Sequence, residues 1–299
     1  MIWVVFGHQG WIGQQVVDIL VKRQHTVYTP SIRADDDAAV EAYLGQIRPD
    51  HVISLIGRTH GSGFSTIDYL EQKGKLVENL RDNLYAPFVL ARVCENMGIH
   101  FTYMGTGCIF TYGEEDPEYR FTEADDPNFF GSSYSTVKGF TDRMMRQMPS
   151  VLNIRIRMPI TAEVHPRNFI TKITNYAKIC SIPNSMTVLP ELLPIMIDIA
   201  EKRAVGTVNL TNPGVISHNE ILSMYRDIVD PSFTWENFTQ EEQRLVLLSE
   251  RSNNHLDTMR LQQLAPNVKT IHDSIRDVLK QMKKTMHHHH HRVITHNEK

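Results

Sequence analysis

No apolar run in this 299-residue chain approaches the roughly 20 residues that cross a bilayer, so a membrane-spanning role is set aside. There is no surplus of positive charge. Lys and Arg total 31 against 34 Asp and Glu, a net charge of −3, which argues against a nucleic-acid binder. Cysteine is scarce: Cys94, Cys108 and Cys180 are odd in number and far apart. That excludes a disulfide scaffold or a zinc-ligand cluster and fits reduced thiols in the cytoplasm. The opening MIWVVFGHQG has neither the basic start nor the cleavage site of a secretory signal. Internal repeats and low-complexity linkers are also missing.

Apolar and charged residues make up 41% and 22%, a globular composition for one large or two ordinary domains. Residues 2–6 (IWVVF) are a short apolar run, followed by GHQGWIG and then helical spacing at Val16, Val17, Leu20 and Val21. Strands at 25–30, 51–57, 99–106 and 152–159 alternate with helices at 36–48, 70–97 and 134–148. This predicts a doubly wound parallel α/β sheet, Rossmann-like, with helices on both faces. After Pro159 the pattern loosens. Residues 168–180 and 218–229 read as helices and 206–212 as a strand. The expected organisation is a dinucleotide-binding domain over 1–160, rejoined around 185–212. A smaller interleaved lobe takes 161–184 and 213–285. Five consecutive histidines follow Met286, and 287–299 reads as a purification tag or disordered tail.

Gly7, Gly10 and Gly13 form GxxGxxG between a strand and a helix, with Gln9, Trp11 and Ile12 in the same turn. Glycine there lets the backbone approach a pyrophosphate, and the helix N-terminus favours its charge. This spacing resembles the extended short-chain dehydrogenase/reductase superfamily. The second strand ends YTPSIR, with no acidic residue before Asp35. Arg33 there suits a 2′-phosphate, so NADP(H) is the expected cofactor, with NAD(H) as the alternative. Gly57, Arg58 and Thr59 follow a strand at the cofactor edge.

Tyr134 and Lys138 are four residues apart and share a helical face. A neighbouring ammonium makes a phenol a usable proton donor. Thr106, at the end of a strand 28 residues upstream, completes a Thr, Tyr, Lys set in the superfamily's order. On the same resemblance Asn83 lies beside the active site, and Met158 and Pro159 beside the nicotinamide.

Gly105-Thr-Gly-Cys-Ile-Phe, Pro127-Asn-Phe, Arg157-Met-Pro-Ile, Pro166-Arg-Asn-Phe-Ile-Thr-Lys172, Ile182-Pro-Asn-Ser-Met and Arg251-Ser-Asn-Asn are spread over most of the chain. Together they resemble the epimerase/reductases that complete UDP-L-rhamnose synthesis. The bacterial dTDP-4-dehydrorhamnose reductases and GDP-L-fucose synthases are similar but more distant. The resemblance implies 3,5-epimerisation of UDP-4-keto-6-deoxy-D-glucose, with a dTDP-linked substrate as the alternative, then NADPH-dependent reduction at carbon 4. Epimerisation needs two acid/base groups flanking the ring. Cys108, two residues after Thr106, is the first candidate, and Lys172 or His165 is its partner. The resemblance places Asn128, Asn168, Arg251, Asn253 and Asn254 against the nucleotide sugar, and no metal. It also implies a homodimer packed through 75–97 and 134–148. A 4-reductase without epimerase activity, or a cofactor-binding regulatory subunit, are the competing readings.

Overall fold

The computed structural model describes residues 1–57, 67–113, 116–248 and 251–297, with backbone alone at 248 and from 287 onward. Six parallel strands build the central sheet: β1 (Ile2–Phe6), β2 (Thr26–Tyr28), β3 (His51–Ser54), β4 (His100–Thr106), β6 (Val151–Ile156) and β9 (Gly206–Asn209). Their order is β2-β1-β3-β4-β6-β9, so the chain reverses direction across the sheet at β1/β3. In doubly wound sheets, ligands bind at that switch point, beyond the carboxyl ends of the strands. The remaining strands are two short parallel pairs, β5 (Arg120–Phe121) with β10 (His255–Leu256), and β7 (Pro159–Ile160) with β8 (Thr187–Val188).

Strand alternation divides β1 between two cores. Trp3 and Val5 face helix α1 (Trp11–Lys22), α7 (Leu189–Glu201) and α10 (Met259–Leu264). Val4 and Phe6 face α2 (Asp37–Ile47), α4 (Ala86–Met97) and α5 (Ser133–Arg146). All four side chains are buried, as a strand sandwiched between helix layers requires.

A third core joins α6 (Phe169–Thr174), α8 (His218–Ile228) and α11 (Ile271–Asn297) around Ile170, Ile221 and Ile275. Leu247 of α9 (Gln240–Leu248) lines one cavity with Phe169 of α6 and His218 of α8, and these helices are called the lobe. Ser217 caps α8 through a reciprocal box with Glu220. No Gly or Pro interrupts 271–297, and α11 continues through the His run. The stretch expected to be a purification tag or disordered tail follows the same helical backbone to Asn297.

The predicted helix over 70–97 is composite. A 3-10 turn (Ile67–Glu71) leads to α3 (Leu76–Leu80), a π turn (Arg81–Tyr85), and α4. Such π turns recur at functional sites because one extra residue re-aims the side chains.

Candidate active site

The glycine turn is built for close approach. Gly7 has φ +83°, and a Cβ there would stand 2.8 Å from the Leu55 carbonyl carbon. A Cβ on Gly13 would fall 2.0 Å from the Gly7 oxygen, so only glycine lets α1 pack against β1. Gly10 is open by contrast, 3.6 Å from its nearest neighbour, and caps α1 with no side-chain acceptor. The first N–H groups of α1 are left facing a 540 Å³ cavity lined by Gly7, Gln9, Gly10, Ser31, Arg33 and Gly57. Arg33 stays exposed there while its guanidinium donates to Asp35 at 3.0 Å and to Asp82 at 3.4 Å. Arg58 and Thr59 lie outside the described residues.

Gly10 and Gly57 also line a second cavity of 370 Å³, with Trp11, Ile12, Gly13, Met158 and Pro159. Thr106, Cys108, Tyr134, Lys138, Arg157, Arg167 and Lys172 converge on it. Thr106 ends β4, where its Oγ1 accepts from the Cys108 N–H at 2.9 Å. Ser132 caps α5 by accepting from the Ser135 N–H, and the Ser135 hydroxyl donates to the Cys108 carbonyl at 2.9 Å. The helix start and the strand end are thus tied together, bringing Tyr134 beside Thr106 and Cys108. Burial raises the Tyr134 phenol well above its ordinary range, partly offset by the Thr106 hydroxyl and the Arg167 guanidinium. Lys138 is buried, which pushes its ammonium down to about 8. Its Nζ lies 6.0 Å from the Tyr134 ring centre and donates to the Tyr103 hydroxyl at 3.0 Å. Asn83, in the π turn, is fully buried and donates to Asn79, which in turn donates to the Ser133 hydroxyl.

Cys108, Tyr134 and Met158 are shared with a third cavity of 640 Å³ under the lobe, also lined by Cys180, His218, Arg251 and Asn253. Met158 holds φ +42°, a left-handed backbone that costs energy for a side-chain-bearing residue and sits at the junction of the two spaces. Burial, then the Arg167 guanidinium, holds the Lys172 ammonium below its ordinary range, while Cys108 acts in the opposite sense.

Several expected ligands do other work. Asn168 is fully buried; it caps α6 and spends its amide on the backbone of Thr161, Glu163 and Ile170. Asn254 is equally buried and donates to the Gly107 and Phe110 carbonyls. Asn168 has its amide donors and its carbonyl oxygen committed to backbone groups and has nothing left for a sugar, whereas Asn254 Oδ1 is buried with no hydrogen-bond partner among the described residues. Asn128 clasps both backbone groups of Thr111 at the rim of a fourth cavity. The His165 ring stacks on Trp11 at 5.0 Å and accepts from the Arg167 N–H. Of the two candidate partners of Cys108, Lys172 is the one in the lining of the cavity.

Residue patterns did not single out Tyr103, Arg157 or Arg167 as site groups. Tyr103 looks like a core aromatic and Arg157 like an ordinary strand residue. Arg167 stands in the quoted Pro166-Arg-Asn motif, which was the available signal. Among the described residues no cluster of His, Cys, Asp and Glu is arranged to hold a metal, and no helix is long and apolar enough to cross a membrane.

A glycine turn at the switch point, opening onto a Thr-Tyr-Lys set, defines an enzyme of the extended short-chain dehydrogenase/reductase class. Residues 1–182 match the model of the RmlD substrate binding domain family. The L780 protein of Acanthamoeba polyphaga mimivirus is 56% identical over 287 residues, 95% of this chain and 99% of that one. Its crystal structure, described as that of a UDP-rhamnose synthase, superposes with a TM-score of 0.89 over 94% of this chain and 99% of that one. A bifunctional dTDP-4-dehydrorhamnose 3,5-epimerase/dTDP-4-dehydrorhamnose reductase of Arabidopsis thaliana is 42% identical over 95% of this chain and 94% of its own. The fold alone is shared with a dTDP-4-dehydrorhamnose reductase from Clostridium acetobutylicum, at 15% identity and a TM-score of 0.77 over 95% of this chain and all of that one. The chain belongs to the RmlD substrate binding domain family.

Proposed function

We propose that the chain converts UDP-4-keto-6-deoxy-D-glucose to UDP-L-rhamnose by epimerisation at carbons 3 and 5 and NADPH-dependent reduction at carbon 4. The observation that carries this reading is the meeting of two chemistries in one cavity. Thr106, Tyr134 and Lys138 line it together with Cys108 and Lys172. The mimivirus relative described as a UDP-rhamnose synthase favours the UDP-linked substrate over a dTDP-linked one.

The protein's residues fit the cofactor. Gly7 and Gly13 clear the backbone cradle, the uncapped start of α1 faces a diphosphate position, and Ser31 and Arg33 offer donors to a 2′-phosphate. Bound NADPH supplies the hydride for carbon 4. Tyr134 gives its proton to the developing alkoxide, and Thr106 orients the Tyr134 hydroxyl. Lys138, held by Tyr103, stabilises the phenolate left behind. Cys108 and Lys172 exchange protons at carbons 3 and 5, which are acidic because they flank the ketone. Arg251 and Asn253, at the lobe end of the trench, hold the nucleotide diphosphate. The exposed apolar side chains of Leu76 and Val77 on α3 and Phe140 on α5 support a homodimer packed through these helices. Free cysteines suit a cytoplasmic enzyme.

Cys108→Ala tests the division of labour. It is expected to reduce an already epimerised 4-keto-L-sugar nucleotide while failing to epimerise the D-sugar. Loss of both activities in a folded variant would make Cys108 structural and overturn its role.

A further inference from the structure

Arg157 is 1% exposed, yet among the described residues no carboxylate forms an ion pair with it. Its guanidinium donates to Asn184 Oδ1 at 2.8 Å, to the Ser185 carbonyl at 2.9 Å and to the Ser252 carbonyl, all neutral acceptors. Its Nε is buried and meets no acceptor at ordinary hydrogen-bond geometry among the described residues. Burying an unpaired cation is costly, and most buried charges are paired. The chain nevertheless makes room for this one. A Cβ on Gly107 would stand 2.9 Å from Arg157 Cγ, so the glycine between Thr106 and Cys108 is what lets the arginine stem pass beneath that loop. The backbone of Arg157 is clamped as well: its N–H donates to the Thr187 hydroxyl, and its carbonyl accepts from the Thr187 N–H. Arg157 and Cys108 line the same cavity. Cys108 and Tyr112 are the ionisable groups whose charge bears on it.

We propose that Arg157 is a positioning residue that supplies the counter-charge for Cys108 when that thiol is ionised during epimerisation. The assignment rests on the reading of Cys108 as an epimerising group. In each epimerisation the ring C–H bond breaks and its proton passes to the Cys108 thiolate, forming S–H. The electron pair moves onto the ketone oxygen. The Lys172 ammonium then gives a proton to the opposite face of the carbon and becomes the amine, and solvent resets both groups. Arg157 stabilises Cys108 in its anionic half of that cycle and touches no reacting carbon. The same guanidinium grips the Ser252 carbonyl, so it also fixes the loop that carries Arg251 and Asn253.

The test needs no substrate. The full chain is alkylated with iodoacetamide at neutral pH, and the rate at each cysteine is read by peptide mass spectrometry. An opposite charge within ~4–6 Å favours an ionised group by about tenfold or more. Arg157→Met is therefore expected to slow alkylation of Cys108 about tenfold, with Arg157→Lys close to the parent protein. Asn184→Asp guards against a folding failure. It is nearly isosteric, keeps Arg157, and offers the guanidinium a competing carboxylate at the position of Asn184 Oδ1. It too is expected to slow Cys108. An unchanged Cys108 rate in folded Arg157→Met, or in Asn184→Asp, overturns the proposal. Deuterium incorporation at carbons 3 and 5 separates the two readings. Slowed alkylation with no exchange in the parent protein would sink the epimerase reading and leave the counter-charge standing.

Discussion

Acid should destabilise this protein through one buried histidine. At the amino end of the sheet, His51 on β3 is 1% exposed and stacks on Trp3 at 4.1 Å. Its Nδ1 lies 3.1 Å from Nδ1 of His100 on β4, whose Nε2 lies 2.7 Å from the Ala204 carbonyl. A carbonyl only accepts, so Nε2 of His100 carries a proton and its Nδ1 accepts; His51 therefore donates from Nδ1. Burial first, then the charges of His100 and Arg203, push His51 down to about 4 from an ordinary 6.5. The folded state thus prefers the neutral ring. As pH falls through 6.5 the unfolded chain binds the proton first, and stability drains away until the folded ring also protonates near 4. That contribution is complete above pH 6.5 and totals about 3.4 kcal/mol, of which about 2 kcal/mol is lost between pH 7 and 5. The perturbation is His51→Phe, which keeps an aromatic ring on Trp3 and removes the titration. Urea unfolding followed by fluorescence at pH 7 and 5 gives the two slopes. The parent protein should lose about 2 kcal/mol more than the variant over that interval. Equal losses in both would refute the reasoning.

Three further outcomes follow from the packing around the site. Arg155 and Asp142 form a buried two-pronged ion pair that docks α5 on β6, with both bonds at 2.9 Å. Asp142→Ala strands the guanidinium and should cost about 3–5 kcal/mol in urea unfolding, and a loss under 1 kcal/mol would contradict it. Tyr103→Phe removes the hydroxyl that accepts from Lys138. Reduction should slow about ten- to a hundredfold in a folded protein, as expected for a lost hydrogen bond to a charged group, and an unchanged rate would exclude a role for Tyr103. Gly13→Ala drives a methyl into the Gly7 carbonyl, whereas Gly10→Ala meets nothing closer than 3.6 Å. The first should cost about 1–3 kcal/mol and weaken NADPH binding by fluorescence titration, and the second should leave stability near the parent value.

Where side chains repeat with a plain period, the residues predict the structure well. IWVVF becomes β1, and GxxGxxG becomes the switch-point turn because Gly7 and Gly13 each answer a local steric demand. Tyr134 and Lys138 share a face because four residues make about one helical turn. Helix α7 escaped notice because Pro190 and Pro194 punctuate an apolar run that otherwise reads as loop or strand. The π turn at Arg81–Tyr85 is invisible to periodicity, since its extra residue shifts the phase within an unbroken helical pattern. Asn168 looked like a ligand because polar residues in loops serve binding or capping equally well in a sequence. Only burial and the count of satisfied groups separate the two. Arg157 failed for the opposite reason. An arginine just past a strand carries no mark of being buried, and its meaning lies in the lack of a carboxylate partner among the described residues, a fact of three dimensions.

The proposed sharing of one cavity by epimerisation and reduction is tested most directly by incubating the purified chain with UDP-4-keto-6-deoxy-D-glucose and NADPH in deuterated water and resolving the product by NMR. The expected product is UDP-L-rhamnose carrying deuterium at carbons 3 and 5. A reduced sugar that keeps the D-configuration and its original protons would contradict it.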